Sequence, residues 1–173
     1  MNSPIEVLPL ISQMSKDISQ LELEAPLFIG IHSGGVWIAE KIYQELAPAK
    51  GDIHEVLGTL DISLHRDDFM RVGMNVESRS SKLPQSIDDR NIVLIDDVLH
   101  SGRTVRAAMN EIFSYGRPAT IKLAVLIDRE ERELPIQADV IGCRLPLPPN
   151  QQAKLQNTHG ELRIDIIKQE RER

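Results

Sequence analysis

Asn91-Ile-Val-Leu-Ile-Asp-Asp-Val-Leu-His-Ser-Gly-Arg-Thr104 is the stretch that decides the fold. Four branched aliphatics in succession, Ile92 to Ile95, make Asn91 to Asp96 a strand buried on both faces, as in a parallel sheet. Two carboxylates, Asp96 and Asp97, come next. A short loop with Ser101, Gly102 and Thr104 then opens a helix over Thr104 to Tyr115, which Gly116-Arg-Pro118 stops. A helix N-terminus presents free backbone N–H groups and the positive end of the helix dipole, so this corner suits a phosphate. The acids just upstream are placed for hydroxyls or a hydrated cation. A sugar phosphate carries hydroxyls and phosphate at that separation. The plain alternative is a strand–turn–helix corner with surface acids and Ser101 as N-cap. The constrained order of apolar strand, paired acids and hydroxyl-rich loop outweighs it.

Upstream, Pro26 to Ile31 is a short apolar run that reads as a buried strand. His32-Ser-Gly-Gly35 is a turn, and Val36 to Leu46 reads as a helix stopped by Pro48. Ile5, Leu8, Ile11, Ile18 and Leu21 recur near helical spacing, which predicts an amphipathic helix between Ile5 and Leu23. Ser3-Pro4 would be its N-cap and first helical position, although Pro9 argues for a later start. Val56 to Leu64 is a second strand. Phe69 to Asp89 has no period and reads as a long loop with some hairpin character; such loops in compact domains are functional or mobile. Downstream, Ile121 to Ile127 and Ala138 to Gly142 are strands, and Arg144 to Asn157 is Pro- and Gln-rich and irregular. Leu162 to Ile167 alternates like an edge strand, and Lys168 to Arg173 is a charged, solvated tail. The pattern predicts one α/β domain over residues 1–173 with a mainly parallel sheet flanked by helices. Ligands of such sheets sit beyond the strand carboxyl ends. The residues there are His32-Ser33-Gly34-Gly35, Asp96-Asp97 and Asp128-Arg129.

Composition narrows the function classes. With 173 residues the chain fits one domain that needs no disulfide or metal staple. No apolar stretch approaches a membrane span, and Met1 to Glu22 lacks the basic head and apolar run of a signal peptide. Cys143 is the lone cysteine, which suits a reducing, cytoplasmic compartment and a role as a small hydrophobe. The net charge of −6 disfavours nonspecific nucleic-acid binding, which runs on phosphate neutralisation. Aromatics at 3% are too few for a stacking platform along a single strand. His32, His54, His65 and His159 show no metal-ligand spacing, so no protein metal site is expected. Met70, Met74 and Trp37 read as packing residues.

The strand–acid–loop–helix segment resembles the phosphoribosyl pyrophosphate (PRPP) signature of type I phosphoribosyltransferases. Leu60-Asp-Ile-Ser-Leu-His-Arg-Asp-Asp-Phe69, Asp97 to Ala108, Tyr115-Gly-Arg-Pro118 and Leu123 to Ile136 together are similar to the PyrR family. That family comprises pyrimidine-operon attenuation proteins that also resemble uracil phosphoribosyltransferases. The similarity runs from about Pro26 to Gly142, with four motifs in order.

The resemblance implies a type I phosphoribosyltransferase fold with a flexible loop at about 69–89 and a small hood at about 143–173. It implies that Asp96 and Asp97 hold the ribose 2′- and 3′-hydroxyls. Val98, Leu99, His100, Ser101, Gly102, Arg103 and Thr104 would surround the 5′-phosphate. His32, Ser33, Gly34 and Gly35 fall at the family's pyrophosphate loop, where this chain has Gly34 in place of the family's usual Arg. Arg71, Arg79 and Lys82 are the cations of the flexible loop, and Arg79 is placed to meet the leaving pyrophosphate. Arg66-Asp67-Asp68 opens that loop, as a salt bridge or a site element. His100 stands where purine-using relatives have an acid near the base and PyrR proteins have Tyr. Arg129 matches a position facing the base or the pyrophosphate, although Asp128-Arg129 would also serve as an ion pair. Ala153 falls near the hood position whose backbone reads uracil, within a hood that departs from the family at Gly142 to Pro148. Glu130-Glu131 replaces a Gly-His pair and adds two negative charges to the surface the family uses for RNA.

The expected activity is therefore conversion of uracil and PRPP to UMP and pyrophosphate, with Mg²⁺ carried by PRPP. Homo-oligomers, dimers or higher, follow from the family. A second reading, of another class, is a UMP- or PRPP-sensing RNA-binding regulator of pyrimidine genes with weak or no catalysis. A third is a phosphoribosyltransferase for another base.

Overall fold

A computed structural model of the chain describes residues 5–46, 56–62, 81–84 and 86–168. The elements run in the order α1 (Val7–Ser19), β1 (Leu27–Ile31), α2 (Gly34–Leu46), β2 (Leu57–Leu60), β3 (Asn91–Leu99), α3 (Arg103–Tyr115), β4 (Thr120–Asp128), β5 (Val140–Arg144), β6 (Gln151–Thr158) and β7 (Glu161–Lys168). Five strands form a parallel sheet in the order β2-β1-β3-β4-β5, and β6 and β7 form a separate antiparallel hairpin. The α/β architecture expected from the sequence is the one observed.

Alternation along the strands divides the core in two. Phe28, Val93, Ile95, Ala124 and Leu126 face one way and pack with α1, α2 and the apolar side of the hairpin. Leu27, Ile29, Ile92, Leu94, Leu123 and Val125 face the other way and pack with Val105, Ala108 and Ile112 of α3. β1 sits beside both β2 and β3, although the chain visits β2 first. The order therefore reverses between β1 and β3, and the carboxyl ends of these strands border the crevice in which doubly wound sheets bind ligands.

Several boundaries differ from the sequence reading. α1 starts at Val7, with Glu6 at the N-cap position and no side-chain cap; Ser3 and Pro4 lie outside the described residues. Pro9 fits because it stands in the first turn, where its missing N–H has no partner to lose. α2 starts at Gly34, two residues before the expected Val36. The second strand is shorter than Val56 to Leu64 and ends at Leu60, and the fifth is shifted to Val140–Arg144. β3 does not stop at Asp96; its pairing with β4 continues through Leu99↔Asp128, so the two acids are inside the strand. The largest correction concerns Arg144 to Asn157, read as irregular. Gln151–Thr158 is a strand whose only apolar buried positions are Ala153 and Leu155. A hairpin that packs one face needs so few apolar residues that Pro and Gln masked the period. Leu162 to Ile167 is a strand, as expected, with Lys168 as its last residue. In the long loop, Lys82 makes an isolated antiparallel bridge with Thr59. Residues 63–80 and 169–173 lie outside the described residues, and with them His65, Arg66, Asp67, Asp68, Met70, Arg71, Met74 and Arg79. His54 does as well. Trp37 packs against the core, as read.

At the opposite end of the sheet, Arg117 closes α3. Its Nη1 donates to the carbonyls of Phe113 (2.7 Å) and Gly116 (3.0 Å), and its backbone N–H donates to Asp88 Oδ1 (2.7 Å). These bonds satisfy carbonyls that the helix leaves open. Arg117→Ala is expected to lower stability by under about 1 kcal/mol in a urea melt and to leave the far end of the sheet unchanged.

Candidate functional site

A cavity of about 550 Å³ opens at the carboxyl ends of β1 and β3, at the reversal point. Three segments of its wall were expected from the sequence. His32, Ser33 and Gly34 follow β1; Asp96 to Gly102 and Thr104 span the end of β3 and the start of α3; Arg129 follows β4. Ala153 of β6 closes the fourth side. The structure thus brings together residues spread from position 32 to position 153.

The acids are held from within. Asp96 is buried, and its Oδ1 accepts the Asp97 N–H at 3.0 Å. Asp97 Oδ1 accepts the Val98 N–H at 2.9 Å. Its Oδ2 leans over the loop after β1, where a Cβ on Gly34 would come within 2.4 Å of it. Gly34 therefore leaves the room into which Asp97 fits. The His32–Ser33 peptide bond is cis. Gly35 is placed off the cavity wall, with its Cα against the Ile95 carbonyl.

The loop after β3 turns on Gly102, whose φ of +91° is left-handed and suits glycine alone. Gly102 is the N-cap of α3, and its carbonyl accepts the Arg106 N–H at 3.0 Å. Ser101 Oγ accepts the Arg103 N–H at 3.3 Å. Arg103 itself turns away from the cavity to pair with Glu133, Nε to Oε2 at 2.7 Å. The remaining expected phosphate-loop residues line the cavity.

Asp128 and Arg129 do not pair with each other. Asp128 Oδ1 accepts from Arg132 Nη2 at 2.7 Å, while Arg129 Nη2 donates to Glu131 Oε2 at 3.1 Å. The same Glu131 oxygen lies 2.8 Å from His100 Nε2. Arg129 is 4% exposed, and its Nε is the one buried side-chain polar atom without a partner among the described residues. Burying an unpaired charged donor is costly, so such a donor at a cavity wall marks a place for an acceptor.

The β6–β7 hairpin contributes through its backbone. His159 and Gly160 both have positive φ, 53° and 88°, and form the two-residue turn of the β6–β7 hairpin. This turn type closes on a hydrogen-bonded pair, here Thr158↔Glu161. Hydrogen-bonded pairs then alternate back to Gln152↔Ile167, and the Ala153 N–H and C=O point away from β7. Ala153 therefore offers one donor and one acceptor side by side at the cavity edge. Gln152, Lys154, Ile62 and Ile167 also line the cavity and were not singled out from the sequence. Lys154, next to Ala153, was the one legible signal among them.

Among the described residues no group of three or more His, Cys, Asp or Glu is placed to hold a metal ion. The paired carboxylates fit a cation that brings most of its oxygen ligands with it, as Mg²⁺ does on a phosphate ester. Cys143 is half-buried, and burial pushes its thiol pKa up, which leaves little thiolate for nucleophilic chemistry. No helix among the described residues is long and apolar enough to cross a membrane.

Comparison with known proteins agrees with this geometry. The phosphoribosyl transferase domain family matches residues 4–157. A protein of Nitrosococcus oceani named bifunctional protein PyrR is 51% identical over 146 residues, covering 84% of this chain and 81% of its own. The protein of that name from Pseudomonas aeruginosa is 47% identical over 154 residues, covering 88% of each chain. Among solved structures, a hypoxanthine-guanine phosphoribosyltransferase of Bacillus anthracis superposes with a TM-score of 0.61 at 18% identity, over 84% of this chain and 85% of that one. At that identity the likeness speaks for the fold.

Proposed function

Because the chain belongs to the phosphoribosyl transferase family and, within it, to the PyrR proteins, we propose that it transfers the phosphoribosyl group of PRPP to uracil, releasing UMP and pyrophosphate. The observation that carries this reading is the cavity at the β1/β3 reversal, onto which the acid pair, the hydroxyl-rich loop and the hood backbone open together.

In the reaction the bond from ribose C1 to the pyrophosphate oxygen breaks, the bond from C1 to uracil N1 forms, and the N1 proton is lost. C1 gains positive charge as pyrophosphate departs. The protein's part is to position, neutralise and exclude water. Asp96 and Asp97 accept hydrogen bonds from the ribose hydroxyls. The loop from Leu99 to Thr104 and the α3 N-terminus take the 5′-phosphate. His32 to Gly34 face the pyrophosphate. Mg²⁺ would be carried mostly by PRPP oxygens and water, with Asp96 and Asp97 as the only carboxylates of the cavity wall, among the described residues, to meet its hydration shell, and it would supply charge neutralisation at the pyrophosphate. The Ala153 C=O and N–H match the donor N3–H and an adjacent carbonyl of uracil. The buried Arg129 supplies a cation beside the base or the pyrophosphate.

The chemistry is tested by incubating labelled PRPP with uracil, hypoxanthine, guanine and orotate, with and without Mg²⁺. UMP as the main product supports the reading; no product and no Mg²⁺-dependent binding of PRPP or UMP by calorimetry overturns it. The attenuation role that the resemblance implies is disfavoured by charge. Each arginine flanking Glu130-Glu131 is tied to a carboxylate: Arg129 to Glu131, Arg132 to Asp128, Arg144 to Glu130 at 3.3 Å. Few cations remain there for phosphates. Binding to a pyrimidine-operon leader RNA is expected to be weak and to fall steeply with salt. Tight, sequence-specific retention at physiological salt would contradict this.

A further inference from the structure

The loop that receives the 5′-phosphate in the proposed reaction is gripped from behind by the segment after β4. Three consecutive carbonyls of the loop are engaged. The Leu99 carbonyl accepts the Arg129 N–H at 3.0 Å. The His100 carbonyl accepts Arg132 Nη1 at 3.1 Å. The Ser101 carbonyl accepts the N–H groups of Glu133 and Leu134 at 3.0 and 3.1 Å. In a trans peptide the C=O and the following N–H point in opposite directions. Drawing the His100 and Ser101 carbonyls backward therefore turns the N–H groups of Ser101 and Gly102 forward. Forward is the cavity: residues 98–102 line it, and Arg132, Glu133 and Leu134, which hold the last two carbonyls, do not, whereas Arg129 at the Leu99 carbonyl belongs to the wall. Successive N–H groups turned to one side make an anion-binding concavity.

Arg132 is the centre of this grip. Besides the His100 carbonyl, its Nη1 meets the Glu131 carbonyl at 3.1 Å, its Nε donates to the Ile136 carbonyl at 2.9 Å and its Nη2 to Asp128 Oδ1 at 2.7 Å. Only a planar fork of donors reaches these acceptors together. Behind Gly102 the same segment closes in: a Cβ there would stand 3.3 Å from Ile136 Cδ1 and 3.4 Å from Leu134 Cβ. None of these atoms meets a ligand in the cavity directly.

Resting on the phosphoribosyl transfer reading, we propose that Arg132 is a positioning residue that fixes the polarity of the phosphate loop and so sets its affinity for a 5′-phosphate. The test is Arg132→Lys, which keeps the charge beside Asp128 and loses the fork. Calorimetry with ribose 5-phosphate and with inorganic pyrophosphate separates the two anion sites. Ribose 5-phosphate binding is expected to weaken by about tenfold or more, and pyrophosphate binding to change by less than about twofold. Uracil turnover should show a raised KM for PRPP with kcat less affected. Equal losses for both anions, or no loss in folded protein, overturn the proposal. If the lysine variant does not fold, the wild type gives the answer by amide hydrogen exchange. Ribose 5-phosphate should slow exchange at Glu133 and Leu134, which lie outside the cavity. Slowing confined to His100–Thr104 refutes the coupling. A wild type that binds pyrophosphate but no ribose 5-phosphate removes the phosphate-loop assignment itself, which is a different failure.

Discussion

Asp97→Asn is expected to lower PRPP affinity and kcat/KM about ten- to hundredfold while the protein stays folded. The amide retains an oxygen, so the 2.9 Å bond from the Val98 N–H survives and the strand end keeps its shape. What disappears is the negative charge that a ribose hydroxyl and a hydrated Mg²⁺ would meet. Charge-assisted hydrogen bonds contribute roughly 1.5–3 kcal/mol, and about 1.4 kcal/mol is a decade in affinity. Isothermal titration with PRPP, paired with initial rates, checks it. Arg117→Ala is the control, because Arg117 lies at the other end of the sheet and its side chain bonds the carbonyls of the α3 terminus. Wild-type PRPP binding by folded Asp97→Asn would return Asn91–Thr104 to being a structural corner.

The strand, turn and helix of that stretch are legible in the sequence because their signals are local. A run of branched aliphatics, two acids and a glycine before a helix depend on nothing distant. The strand carboxyl ends followed from the α/β pattern, and the cavity lies there. What the sequence hid is set by tertiary pairing. Asp96 and Asp97 fall inside β3 because β4 continues alongside them to Asp128, which no local property of Asn91–Leu99 announces. β6 was concealed by its glutamines and by the prolines just before it, and without β6 the Ala153 backbone could not be given an edge direction. Asp128-Arg129, adjacent in sequence, reads as a natural ion pair; the fold gives each a partner further on, Arg132 and Glu131. In Arg129-Glu-Glu-Arg-Glu133 alternating charge looks like a solvated surface. Its arginine at 132 is instead mostly enclosed, with its side chain 21% exposed, because the loop after β3 supplies it with a carbonyl. Charge runs reveal sign but not which member turns inward.

Gly34→Arg, which restores the side chain usual in the PyrR family at the pyrophosphate loop, is expected to weaken PRPP binding by about tenfold or more rather than strengthen it. The added cation would favour an anion if the backbone could accept it. A Cβ on Gly34, however, would stand 2.4 Å from Asp97 Oδ2, 2.6 Å from Cγ and 2.7 Å from Cβ. The carboxylate oxygens can swing aside by rotation about χ1. The Asp97 Cβ cannot, because its position is set by the β3 backbone. The N-terminus of α2 and the end of β3 must therefore part, and Gly35, whose Cα already abuts the Ile95 carbonyl, couples that movement to the strand. Overpacking of this kind costs typically about 1–3 kcal/mol. The same displacement moves the acid that meets the ribose. The Gly34→Ala variant separates the two effects: it adds the Cβ without the charge. If the collision dominates, alanine and arginine lower PRPP affinity and thermal stability alike. If arginine binds PRPP more tightly than wild type while alanine binds it less tightly, the β1 loop has enough freedom to accommodate the side chain, and the fit of Asp97 over Gly34 is not what limits pyrophosphate binding.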